Sequence, residues 1–297
     1  MRVLVTGATG VLGRRVVSHA AAGREDVLAI SRSATGARGT DGVEWARWDL
    51  ASEPCPDAVL AWKPSVIVHT AAMTDVDRCE REPDAARAAN ATATERVAQL
   101  AADTGARLLC VSTDSVFDGR RGGYRDDERP SPINVYARTK VDAERATGQV
   151  PGALVIRANF VSDERLTAWI LGAAERGEEI PVFTDVVFAP LDVRDLARDL
   201  VTLAAASLTG VVHLASDEAI SKAVYAERLV AAAGLGARAR LARVSADTVP
   251  MRAPRPKNTS LVPSAAATRI LGARTLRHAI DDYARERIAR QKEGRRV

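Results

Sequence analysis

A tyrosine and a lysine four residues apart, Tyr136 and Lys140 in NVYARTK, are the chain's clearest chemical signal. On a helix that spacing puts both side chains on one face. An ammonium beside a phenol favours the phenolate, so the pair can pass a proton near neutral pH. YxxxK is common by chance, but in a chain with only five lysines one at this offset is less expected to be incidental. Upstream, LLCVSTDSVFDG reads as a strand ending in Ser112 and Thr113, and a hydroxyl at a strand's carboxyl edge would face the cleft of an open α/β sheet. Taken alone, Thr113 also reads as a capped strand end or a local turn.

A second signal precedes both. TGATGVLG places Gly7, Gly10 and Gly13 directly after an apolar run and into a helical pattern, in the spacing GxxGxxG rather than GxGxxG. Glycines there allow a tight turn and bring backbone N–H groups close to a pyrophosphate, while the helix N-terminus favours the negative charge. Gly7, Thr9, Gly10, Val11, Leu12 and Gly13 are therefore the expected dinucleotide contacts. The second strand should end beside the adenosine ribose, where an acid binds the 2′-OH of NAD and an arginine accepts the 2′-phosphate of NADP. Here the chain runs into Ser31, Arg32 and Ser33 with no acid. NADPH is the expected cofactor, with NADH as the alternative. The plain competing reading is that Arg32 is one more solvated arginine in an Arg-rich chain.

These groups need a frame. Short Val, Ile and Leu runs alternate with helix-patterned stretches, the signature of repeated βα units and a mostly parallel sheet. Strands are expected at Val3 to Thr6, Val27 to Ser31, Val66 to Thr70, Leu108 to Ser112 and Leu154 to Arg157, with helices near 11–22, 84–104 and 133–147. The long central helix has Pro83 at its opening turn and Gly105 just past its end, the usual start and stop asymmetry. Beyond residue 158 helices are expected near 163–175, 193–207, 221–233 and 276–290, strands near 180–183 and 210–214, and an extended loop over Arg252 to Pro263, which holds three prolines. DVRDLARDL at 192–200 reads as a capped amphipathic helix. The fold class is α/β: a doubly wound parallel sheet over residues 1–160, with returning segments near 184–220, and a small discontinuous C-terminal cap over 161–297 that binds substrate. A cleft between the two is the natural site.

Composition narrows the partners. The 297 residues carry a net charge of +4, and residues 284–297 alone hold six Lys or Arg against two Glu, so the body is electrically balanced. With no aromatic residues interleaved in that tail, neither a nucleic-acid nor a membrane partner is expected. The start MRVLVTGATG does not read as a signal peptide, and no run approaches about 18 apolar residues. Cys55, Cys79 and Cys110 are odd in number and unrelated in spacing, which points to a reducing cytoplasm. The histidines His19, His69, His213 and His278 lack partners at ligand spacing, so no metal is expected. Trp45, Trp48 and Trp62 read as packing residues. A homodimer is compatible with all of this.

The combined motifs resemble an extended short-chain dehydrogenase/reductase, and within it the dTDP-4-dehydrorhamnose reductase family. The likeness runs through TGATGVLG, WDL at 48–50, VIVHTAAMTDVDRCE at 66–80, Asn90, STDSVFDG at 112–119, GGYRDDERPSPINVYARTK at 122–140, RANFV at 157–161, GVVHLAS at 210–216 and RPKNTSL at 255–261. The resemblance implies a Rossmann-type fold and reduction of a keto group by hydride transfer. Tyr136 would give the proton to the developing alkoxide, Lys140 would lower the Tyr pKa and hold the nicotinamide ribose, and Thr113 would hydrogen-bond the carbonyl oxygen. It further implies that Asp49 and Leu50 lie along the adenine, Ala71 and Ala72 along the cofactor's middle, and that Asn90 supports the site. Implied substrate contacts are Met73, Thr74, Asp75, Val76, Asp114, Ser115, Asn159, Phe160, Arg255 and Asn258, with Arg255 suited to a diphosphate oxygen.

Three positions depart from the family pattern. Ser115 stands in place of the usual Tyr, Phe160 in place of a common Trp, and Ala137 in place of the usual Gly. The first two lie on the expected sugar side, so beside the leading expectation, the C4 ketone of a 4-keto-6-deoxy sugar nucleotide, stands a different 4-keto sugar nucleotide or a ketone from another biosynthetic pathway. Two rivals stand beside that reading: a reductase of a non-sugar biosynthetic ketone, and an NADP-binding regulatory subunit resembling the methionine adenosyltransferase beta subunit. Joint retention of Thr113, Tyr136 and Lys140 argues against the last.

Overall fold

A computed structural model describes residues 1–33 and 42–294. Six strands come from the first half of the chain: β1 (Arg2–Thr6), β2 (Asp26–Ser31), β3 (Val43–Arg47), β4 (Val66–His69), β5 (Arg107–Thr113) and β6 (Leu154–Ala158). With Gly210–Leu214 they form a seven-stranded sheet in the order Gly210–Leu214, β6, β5, β4, β1, β2, β3. Every pairing is parallel. The chain therefore winds outward from β1 in one direction and from β4 in the other, the doubly wound Rossmann-type arrangement that opens a crevice at the carboxyl ends of β1 and β4.

Register decides which residues reach that crevice. Thr6 lies opposite His69 and His69 opposite Cys110, so β5 continues past β4 for Val111, Ser112 and Thr113, which stay paired with β6. The apolar strand residues are buried on both faces. One face packs against α1 (Gly13–Ala22) and the helix Val193–Ala205 through Val16, Leu196 and Leu200. The other packs against the helix Ala93–Thr104 through Val97 and Leu100, with Trp48 fully buried beside them. Burying such runs on both faces is the main driving force for a parallel sheet.

The central helix differs from its expected form. It is broken into Pro83–Arg87, a π-helical turn Ala88–Thr92 and Ala93–Thr104, although Pro83 does open it and Gly105 ends it in the left-handed region at φ 68°. β3 was not anticipated; it is an edge strand whose residues alternate between partly and fully exposed, which leaves no apolar run to read. The helix expected near 163–175 begins at Leu166, after Arg165 at φ 52°. The loop 252–263 is held by bridges from Leu261 to Tyr124 and from Asn258 to Val187.

A second apolar core gathers Ile180, Phe188, Tyr225 and Tyr283 between the helices Leu166–Arg176, Lys222–Ala232 and Leu276–Gly294. The parallel pair Glu179–Phe183 and Arg240–Val244 flanks it. The last helix carries the start of the basic tail and is tied down by Arg287 to Glu175 and by Glu286 to Arg194. Residues 295–297 of that tail lie outside the described residues. No described helix is long and apolar enough to cross a membrane.

Candidate active site

The glycine turn is built so tightly that side chains are excluded. Gly7 has φ 66°, and a Cβ there would lie 2.7 Å from the Ala71 nitrogen; a Cβ on Gly13 would lie 2.2 Å from the Gly7 carbonyl oxygen. The Gly10 N–H donates to that carbonyl at 2.8 Å, closing the turn. Gly10, Val11, Leu12 and Gly13 line a cleft of about 420 Å³ at the carboxyl edge of the sheet. A backbone that cannot accept a Cβ, feeding a helix N-terminus, fits a dinucleotide pyrophosphate.

At the end of β2 the Ser31 hydroxyl donates to the Ser33 carbonyl, and Arg32 and Ser33 are exposed. Asp49 follows β3 and accepts from the Ala51 N–H at 3.1 Å, while Leu50 is buried. Ala71 packs under the glycine turn and Ala72 lines the cleft.

Thr113 and Tyr136 meet in the middle. The helix Val135–Gly148 is capped by Asn134, whose side chain accepts from the Ala137 N–H at 2.9 Å, and its first turn carries Tyr136 into the cleft. Tyr136 and Thr113 both line it. Burial raises the Tyr136 pKa above its ordinary value; Thr113 acts against this and Asp114 and Cys79 reinforce it. A phenol so placed stays protonated, the form a proton donor needs. Lys140, one turn on, is buried and donates to the Val111 carbonyl at 2.8 Å. Desolvation therefore sets the Tyr136 pKa in this structure, and the expected lowering by Lys140 is not seen.

Asn90 sits on the π-helical turn and joins two walls of the site. Its Oδ1 accepts from the Met73 N–H at 2.7 Å, and its Nδ2 donates to the Met73 carbonyl at 3.1 Å and to Thr139 Oγ1 at 2.9 Å. The extra residue of a π turn re-aims a side chain in this way. His69 is an internal strut: it contacts Thr6 Oγ1 at 2.7 Å and Thr94 Oγ1 at 3.0 Å, and burial, helped by Lys140, lowers its pKa to about 3.

The residues expected on the substrate side have varied placements. Thr74, Val76, Ser115, Asn159 and Phe160 line the cleft. Met73 packs against Tyr136, and Asp75 caps the helix Val76–Arg81 by accepting from the Arg78 N–H at 2.9 Å. Asp114 lines the cleft but its carboxylate is occupied, accepting from Thr113, Ser115, Asn159 and Thr259. Arg255 pairs with Asp77 at 3.0 Å. Asn258 bonds Ser260 and the Arg121 carbonyl. Neither Arg255 nor Asn258 is part of the cleft lining. Ser162, Glu164, Arg165, Leu166 and Lys222 also line it and were missed, because no motif marks them and only the cap's packing brings them there. No group of three metal-binding side chains occurs among the described residues.

Comparison with known proteins identifies the family. The family model described as RmlD substrate binding domain matches residues 1–288. The dTDP-4-dehydrorhamnose reductase of Mycobacterium tuberculosis is 32% identical over 288 residues, covering 93% of this chain and 89% of that one. Methionine adenosyltransferase 2 subunit beta of Pongo abelii is 31% identical over 297 residues, covering 92% and 84%. Among solved structures, dTDP-4-dehydrorhamnose reductase of Yersinia enterocolitica superposes with TM-score 0.80 at 26% identity, covering 95% and 98%. With the glycine turn, the Thr113–Tyr136–Lys140 group and a family model spanning nearly its whole length, the chain belongs to the RmlD substrate binding domain family.

Proposed function

We propose that the protein is an NADPH-dependent reductase of a keto group, and that the ketone is C4 of a 4-keto-6-deoxy sugar bound to a nucleoside diphosphate. The observation that carries this reading is that Thr113, Tyr136 and Lys140 line the same cleft as the glycine-turn residues Gly10 to Gly13. The similarity to dTDP-4-dehydrorhamnose reductases over most of both chains supports the substrate class.

Gly7, Gly10 and Gly13 would hold the cofactor's pyrophosphate and Arg32 its 2′-phosphate; when bound, NADPH supplies the hydride. Tyr136 gives its proton to the ketone oxygen as that oxygen gains charge. The Thr113 hydroxyl, which donates to Asp114 at 3.1 Å in the structure, would turn to the same oxygen, and the two positioned donors would stabilise the developing alkoxide. Lys140, anchored on the Val111 carbonyl, keeps a positive charge close to the phenol once its proton has left. Asn90 fixes the Met73 loop against the catalytic helix, so both sides of the reacting centre move together.

NADPH oxidation should depend on a 4-keto sugar nucleotide and be faster than with NADH. Tyr136→Phe should lower kcat by roughly 10²- to 10⁴-fold with NADPH binding retained. Unchanged turnover in that variant would remove the mechanism. The likeness to methionine adenosyltransferase 2 subunit beta supports a second reading, a cofactor-binding regulatory subunit. NADPH binding without turnover on any keto sugar would favour it.

A further inference from the structure

One cation in the cleft has no part in the reaction described. Lys222 opens the helix Lys222–Ala232, and its backbone N–H is tied to the Val186 carbonyl at 2.9 Å. Its ammonium lies 3.3 Å from the centroid of the Phe188 ring. Among the described residues it is the single cleft-lining group contributed from beyond Leu166. Burial lowers the Lys222 pKa to about 8, with Asp114 pulling the other way. The aromatic face offsets part of the lost hydration but accepts no conventional hydrogen bond.

No described residue supplies that acceptor. Asp114, whose charge reaches Lys222, already receives four side-chain donors. Glu164, the other carboxylate of the lining, is bound by Arg14 and Arg15. Arg255, the residue expected to meet a diphosphate, is held by Asp77. A partly buried ammonium facing a cleft with no acceptor loses part of its hydration without replacement unless the ligand brings an acceptor.

We propose that Lys222 is the recognition group for an anionic oxygen of the substrate, on the Asp114 side of the cleft. The inference rests on the reductase reading above and adds what the substrate must carry there: an oxygen of the diphosphate, or a carboxylate at C6 in place of the methyl of a 6-deoxy sugar. Either would form a charge-assisted hydrogen bond inside a partly desolvated site.

The test uses the full-length protein saturated with NADPH and titrated calorimetrically with dTDP-glucose and with dTDP-glucuronate, comparing wild type with Lys222→Met and Lys222→Arg. If the acceptor is the diphosphate, Lys222→Met weakens both ligands by roughly ten- to a hundredfold. If it is the carboxylate, only dTDP-glucuronate is weakened, and in either case Lys222→Arg restores most of the loss. Equal binding of both ligands by wild type and Lys222→Met overturns the proposal. NADPH titration of each variant checks the fold, and Lys222→Gln replaces Lys222→Met should the latter fail that check. Wild-type protein that binds NADPH but neither nucleotide sugar overturns the underlying reductase reading instead.

Discussion

Replacing Arg157 with methionine should weaken both the fold and the proposed reaction, because Arg157 on β6 and Glu144 on the helix Val135–Gly148 form a buried ion pair. Their side chains are 4% and 8% exposed, and the guanidinium donates twice, Nε to Oε1 at 3.0 Å and Nη2 to Oε2 at 2.8 Å. Glu144 lies one turn beyond Lys140 and also accepts from Ser112, beside Thr113, so the pair ties the catalytic helix to β5 and β6. Arg157 further lies 5.2 Å from the Phe117 ring centroid. Removing one partner leaves a buried charge uncompensated, which costs about 3–5 kcal/mol. Replacing both with apolar residues, Glu144→Leu with Arg157→Met, removes both charges and should cost much less than the two single changes together. Equilibrium urea unfolding of wild type, both single variants and the double variant gives the coupling, expected at about 2 kcal/mol or more. The single variants should also lose kcat, since Tyr136 and Lys140 ride on the freed helix. Additive single losses, or a single loss below about 1 kcal/mol, would refute the reasoning.

Two other perturbations follow from the same geometry. Gly13→Ala should abolish NADPH binding or destabilise the turn, because its Cβ would lie 2.2 Å from the Gly7 carbonyl oxygen; fluorescence titration showing wild-type affinity would count against the tight turn. Burial lowers the pKa of His69 to about 3 and that of His213 to about 4, so each stays neutral when folded at pH values where the unfolded chain is already protonated. Stability should therefore fall as pH drops below about 6.5, by at most about 1.4 kcal/mol per pH unit per histidine. Urea midpoints between pH 7.5 and 5 measure this, and His213→Gln should reduce the slope; a flat profile in wild type would contradict it.

The site was legible to different depths. The glycine turn, the YxxxK face, the Asp192 cap and the Gly105 stop are local features, set by what a short stretch of backbone can adopt, and the structure contains each of them. The π turn under Asn90 was hidden because a single extra residue in a helical turn leaves the apolar pattern nearly unchanged. β3 was hidden for the opposite reason: an edge strand exposed along much of its length carries no pattern to detect. Asp75 and Arg255 were read as free to meet substrate, yet one caps a helix and the other pairs with Asp77. Those partners stand near in space, and for Arg255 the partner is far away in the chain.

By itself, then, the sequence determined the parallel α/β frame, the tight glycine turn and the shared helix face of Tyr136 and Lys140, since these depend on hydrophobic period, glycine at positions without room for a Cβ, and helical spacing. Tertiary structure alone decided that the Tyr136 phenol is buried and kept protonated, that Asp114 is saturated, and that Lys222 from the far half of the chain enters the cleft. Desolvation and long-range pairing set those outcomes, and both depend on which distant residues the fold brings into contact.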